Sequence, residues 1–277
     1  MPVSVLLRPL FVLLALVALP QEERPVVLIR CPLNKDPIAQ WKLPDNLKEI
    51  SGLARSSQGR LLAHGDEKGR IFTLDEKTGQ VLATWELQGE PHDDFEGIAV
   101  SGKTVYLMTS AGRIYTTREG GDGEKVSYTK IDTGLGKQCE FEGLAYDPKA
   151  RVLLLPCKTA IARELAGDVV LFRWSVDKKE LAEPASFRFS RKEIGDSLEF
   201  RATSVEVDPK SGHLVVLSSK WQMVVELNAQ GRFLGVAPLE RLWHRQPEGL
   251  TIGPDRLYVS DEGRKHTGML TAYACAK

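Results

Sequence analysis

The sequence predicts an all-β fold: a five-bladed β-propeller of four-stranded antiparallel blades, closed by pairing of N- and C-terminal strands. Three observations predict it. A short phrase recurs as Asp94-Phe95-Glu96-Gly97-Ile98-Ala99, Glu140-Phe141-Glu142-Gly143-Leu144-Ala145 and Gln246-Pro247-Glu248-Gly249-Leu250-Thr251, with weaker echoes at Glu49-Ile50-Ser51-Gly52-Leu53-Ala54 and Arg201-Ala202-Thr203-Ser204-Val205-Glu206. Aligned, these place Ser51, Glu96, Glu142, Thr203 and Glu248 in one column, at spacings of 45, 46, 61 and 45 residues, a period typical of propellers and solenoids. Between the phrases lie short β-rich runs without a long 3.6-residue pattern, which disfavours a helical solenoid.

The chain opens on Met1 to Pro20, with one basic residue, Arg8, before the apolar run Leu10 to Leu19. This run is short for a bilayer span and resembles the core of a secretory signal. Ala18-Leu19-Pro20 is not a clean small-x-small cleavage site, so the leader is either cleaved or kept as an anchor. The domain plan is thus a signal peptide or anchor over 1–20, a linker over 21–37 and a single propeller over 38–277.

The first blade reads as Gly52-Leu53-Ala54, Arg60 to His64, Arg70 to Leu74 and Val81 to Trp85, four runs separated by turn residues. The second repeats the order with Val105 to Met108, Arg113 to Thr116 and Ser127 to Ile131. The fourth does so with Leu214 to Leu217, Met223 to Leu227 and Phe233 to Val236. The last blade has only Leu257 to Ser260 and Met269 to Ala274 after its entry phrase, so its outer strand must come from Ile38 to Leu43 at the front, which leaves no open edge. Six blades is the alternative, if Val26 to Ile29 or the longer third unit hides another. That unit is about sixteen residues longer than its neighbours, with the excess in Lys158 to Gly167 and Ser190 to Ala202. Both insertions emerge on the face where the column begins, and long loops over a closed scaffold often carry function.

Export would place four cysteines in an oxidising space. Cys139 precedes the first strand of its unit and Cys157 ends the second, positions that meet in an antiparallel hairpin. Cys31 with Cys275 would then tie the two ends together. Free buried thiols are the alternative. The 37 basic residues equal the 37 acidic ones, so no basic excess draws a phosphate backbone and nucleic acid is not an expected partner. Membrane attachment is expected only through the leader. Export implies a periplasmic, cell-envelope or secreted location.

The first strand of each blade lines the axis, so the column should ring one mouth of the central channel. Three carboxylates converging there would repel, raising their pKa values or requiring a cation. Calcium accepts six to eight oxygen ligands in flexible geometry, with Glu96, Glu142 and Glu248 as ligands and Ser51 and Thr203 adding hydroxyls. The alternative is a structural latch in which these carboxylates accept backbone amides of the next blade. Asp66, Asp261, His92 and His244 are candidates for general acid–base work on that face. Arg245, Lys158 and Arg201, with Arg163 and Arg191, are candidates for holding an anionic ligand. No Gly-x-Ser-x-Gly, His-Glu-x-x-His, Walker, dinucleotide or EF-hand pattern occurs.

The entry Leu47-Lys48-Glu49-Ile50-Ser51-Gly52-Leu53-Ala54, the Phe-Glu-Gly repeats and the apolar leader together resemble the bacterial SdiA-regulated family over roughly residues 38 to 275. The resemblance implies a five-bladed calcium-binding propeller, distantly related to NHL-repeat propellers, some of which are enzymes. It brings no established reaction. Thr203-Ser204, where Glu-Gly would be hoped for, and the two cysteine pairs depart from it. Two functions are therefore expected to compete. One is an exported calcium-binding module recognising a small molecule or protein, and the other is a calcium-dependent hydrolase of an ester, lactone or phosphate ester.

Overall fold

Alternating apolar side chains hold each sheet between two others. In the computed structural model, which describes residues 24–195 and 199–276, Leu153 and Leu155 pack toward Met108 and Ile114 of the preceding sheet. Their neighbours Val152 and Leu154 pack toward Val205 and Leu214 of the following one. Successive strand residues point to opposite faces, so a strand reading apolar throughout is one buried on both sides. The expected leader over 1–20 lies outside the described residues.

Five antiparallel sheets result among the described residues. Blade one comprises Ile50–Arg55, Leu61–Gly65, Arg70–Leu74 and Val81–Leu87, extended by a parallel rung from Lys125–Val126. Blade two comprises Phe95–Ser101, Thr104–Thr109, Arg113–Arg118 and Thr129–Asp132. Blade three has a broken inner strand, Cys139–Phe141 then Ala145–Asp147, followed by Val152–Ala160, Asp168–Ser175 and Glu180–Ser190. Blade four comprises Ala202–Val207, Leu214–Ser218, Met223–Leu227 and Phe233–Pro238. Blade five takes Pro247–Ile252, Arg256–Asp261 and Met269–Ala274 from the C-terminus and Ala39–Lys42 from the N-terminus, with Trp41 opposite Leu270. Val27–Arg30, which could have begun a sixth blade, is a single helical turn.

Each seam between blades carries its own apolar cluster. Trp85 and Leu87 meet Phe95 and Tyr115 between blades one and two, and Leu53 and Phe72 meet Tyr258 and Leu270 across the closing seam. Disulfides join Cys139 to Cys157 and Cys31 to Cys275. Part of the stretch expected to be a linker is docked. Val27 is fully buried, and the amides of Val26, Val27 and Leu28 donate to the Glu226 carboxylate at 2.8 to 3.0 Å. Arg30 pairs with Asp208 beside it. No helix among the described residues is long and apolar enough to cross a membrane.

Candidate cation site at the hub

The column residues share one backbone peculiarity. In blade one Ile50 faces Gly65 and Gly52 faces His64, so Ser51 has no partner in the ladder. The same skip passes over Glu96 in blade two, Thr203 in blade four and Glu248 in blade five. In blade three Glu142 falls in the break between the two inner strand segments. A bulge adds a residue to one strand and re-aims its side chain, so all five column side chains leave the pleat at the same level. Glycine follows because the inner strands nearly touch. A Cβ on Gly97 would lie 2.7 Å from the Gly143 carbonyl carbon, and one on Gly143 2.6 Å from the Ser204 Cα. Gly143 also needs its φ of +83°, a conformation glycine adopts without steric cost.

The three glutamates meet one lysine. Lys158, expected on a loop overhanging the face, lies instead at the end of the long strand Val152–Ala160, and its ammonium pairs with Glu142. Burial and then the neighbouring charge of Glu142 push Glu96 up to about 9. Glu248, buried and within hydrogen-bonding reach of Glu142, is raised well above the usual carboxylate range, by burial first and then by Glu142. Burial pulls Lys158 down, but the charge of Glu142 and its hydrogen bond outweigh this and leave it raised. Glu248 Oε2 is buried without a hydrogen-bond donor, and Glu142 Oε2 has the Lys158 ammonium as its partner. Among the described residues, only Glu248 of the three carboxylates receives a hydrogen bond from a neutral side chain, from Gln246 Nε2 at 2.9 Å. No backbone amide among the described residues donates to any of them, so they are not the latch considered above. Ser51 and Thr203 donate to the carbonyls of Glu49 and Pro247.

A cation such as calcium suits hard carboxylate and hydroxyl oxygens, and Glu248 Oε2, which lacks a donor, with Glu142 Oε2, held only by Lys158, meets that need. As placed, however, no three His, Cys, Asp or Glu side chains among the described residues are gathered tightly enough to ligate one ion. Lys158 supplies the positive charge instead.

The remaining candidates separate. His244 is fully buried, with Nδ1 2.7 Å from Asp261 Oδ2 and Nε2 2.7 Å from the Tyr273 hydroxyl. Both ring nitrogens are engaged, so His244, with Asp261 as its partner, anchors a loop. His92 is exposed, and its residue makes an isolated bridge with Lys68. Asp93 beside it binds Arg113 and the Tyr115 hydroxyl. Asp66 stands at the acidic mouth, raised by burial and by Glu49. Arg201 is exposed and pairs with Glu199, away from the carboxylate cluster. Arg245 lies on the loop before blade five.

The sequence profile of the SdiA-regulated family matches residues 35–264. The chain belongs to the SdiA-regulated family. No curated protein matches it by sequence. Among solved structures it is similar to Myxococcus xanthus glutaminyl cyclase, at 15% identity and a TM-score of 0.59, over 87% of this chain and 96% of that one. It is also similar to the PQQ-bound aldose sugar dehydrogenase of Streptomyces coelicolor, at 14% identity and a TM-score of 0.59, over 86% and 97% of the two chains. At these identities the likeness concerns the fold alone.

In this SdiA-regulated propeller two participants at the hub escaped the repeat pattern. Lys158 reads as loop because an insertion follows it, yet its strand runs on to Ala160. Gln246 precedes the repeated phrase and links Glu248 to Glu262 through Nε2. Its only signal is its place two residues before the column glutamate.

Proposed function

We propose that this protein is an exported binding module of the cell envelope whose hub takes up a divalent cation of the calcium kind, through Glu96, Glu142 and Glu248 with Ser51 and Thr203 as hydroxyl ligands. The observation that carries this is the excess of buried acid. Three carboxylates face a single ammonium, which sits on Glu142, and the buried Oε2 of Glu248 has no donor. When all are ionised, two negative charges remain uncompensated, which matches one divalent ion. Glu49, Asp66 and Asp94 around the mouth add to the attraction. Cation uptake requires Lys158 to release Glu142. The ion would supply charge neutralisation and a Lewis-acidic position for an oxygen of a bound ligand.

Glu96 at about 9 holds its proton at neutral pH, and burial with Glu142 alongside favours the neutral form of Glu248. Ligation needs them ionised, so uptake releases protons and tightens as pH rises. Calorimetric calcium titrations in two buffers of different ionisation enthalpy test this. Saturable binding with proton release, lost in Glu142→Gln, is expected, and no binding at pH 8.5 would overturn the proposal. A hydrolase is the second reading, favoured by Asp66, whose raised carboxyl borders the same mouth. Calcium-dependent turnover of generic esters, lost in Asp66→Asn while calcium binding persists, would establish it.

A further inference from the structure

Beside the hub, blade five carries a cavity of about 600 Å³ between its outer edge and the loops before and after Pro247–Asp261. That volume is within the range of small-molecule sites. Three cations face it, Lys42, Arg245 and Arg264, together with the apolar bodies of Leu242, Trp243 and Met269. Leu242 is 80% exposed and stands at the rim.

The charges lining this cavity are answered unequally. Of its two acids, Asp261 is engaged by His244 and the Gln246 amide, and Glu262 by Gln246 and Arg264. Elsewhere the chain pairs its arginines with carboxylates, as in Arg55 with Glu76, Arg70 with Glu86 and Arg113 with Asp93. Lys42 and Arg245, by contrast, have no carboxylate partner among the described residues.

The walls are held in place. Buried His244, fixed at both nitrogens, pins the loop and presents Trp243 and Arg245 on either side of itself. Gln40 from the N-terminal strand donates to the Trp243 carbonyl at 3.0 Å and to Thr271 Oγ1 at 2.9 Å. A pre-formed pocket with an aromatic wall and two unanswered cations recognises a negative head on an apolar body.

We infer that this cavity is a binding site for a small amphipathic organic anion, a carboxylate or sulfonate with an aromatic or aliphatic body, held by Arg245 and Lys42 and packed on Trp243. The residues that would hold the anion, Arg245, Lys42 and Trp243, are not those that would ligate the cation, so the site stands whether or not calcium binds at the hub. The probe is 1-anilinonaphthalene-8-sulfonate, followed by fluorescence with the whole protein at neutral pH in chelator. Its uncharged counterpart, N-phenyl-1-naphthylamine, serves as the neutral comparison.

Saturable binding of the sulfonate is expected, weakened about tenfold by Arg245→Gln and again by Lys42→Gln. Trp243→Phe should reduce energy transfer from tryptophan to the bound probe. Arg151→Gln, whose partner is the distant Asp177, should leave binding unchanged. A fatty or aryl carboxylate should displace the probe, and simple acetate should not. No saturable binding, equal affinity for the neutral counterpart, or undiminished affinity in both cation variants with native melting would each overturn the inference.

Discussion

Two regions of this propeller bury glutamates, and they treat them oppositely. At the N-terminal strap Glu226 is fully buried, yet it accepts three consecutive backbone amides and stands 2.7 Å from His213 Nδ1. At the hub Glu142 and Glu248 are nearly as buried, yet no backbone amide among the described residues donates to either: Glu142 has only the Lys158 ammonium, and Glu248 keeps an oxygen without a donor. An acid buried for stability arrives with its donors, because leaving a buried polar group unsatisfied costs about 1 to 3 kcal/mol. An acid buried without them is destabilising unless something else binds it. This contrast marks the hub, more than the strap, as the place where a ligand is expected.

The comparison can be broken in several places. The largest effect should follow opening of the strap. Cys31 and Cys275 are 244 residues apart, and replacing both by Ser should lower stability by about 5.5 kcal/mol on the chain-entropy account, read as a lower melting temperature. Glu226→Ala comes next, because it strands the amides of Val26, Val27 and Leu28. A loss of about 3 kcal/mol in chemical denaturation is expected.

Glu248→Gln should cost less than about 1 kcal/mol without divalent ions, since burial and the neighbouring Glu142 already disfavour its charged form, while calcium ceases to raise the melting temperature. If Glu248→Gln were as damaging as Glu226→Gln, the hub acids would be structural after all. The smallest effect is on pH dependence. Glu96, at about 9 when folded against an ordinary 4.5, binds its proton more tightly in the native state. Its contribution is complete below the ordinary carboxylate range and is lost as pH rises through about 9. In chelator the melting temperature should therefore fall toward pH 9, and Glu96→Gln should flatten that fall.

Much of this was legible in the chain. The period of the Glu-Gly phrase is set by the length of a four-stranded meander, so blade number and closure by Ile38 to Leu43 followed from spacing. The cysteine pairs followed from strand ends. The column was legible as chemistry because its residues carry oxygen, although the bulge that aims them leaves no composition signal of its own. What stayed hidden depends on tertiary direction. Lys158 turns inward only because its strand outruns the usual length, and His244 looked available until Asp261 and Tyr273 were seen to enclose it. Glu226 reads as an ordinary alternating strand residue, and nothing local announces that a segment some two hundred positions earlier will dock on it.

The bulges carry a consequence for how such a protein can change. Because Ser51, Glu96, Thr203 and Glu248 each sit outside the rungs of their sheets, exchanging their side chains removes no backbone hydrogen bond from the ladders. The scaffold and the lettering of its mouth are thereby uncoupled. An engineer could rewrite the hub for another ion or none, one position at a time, on an otherwise untouched framework.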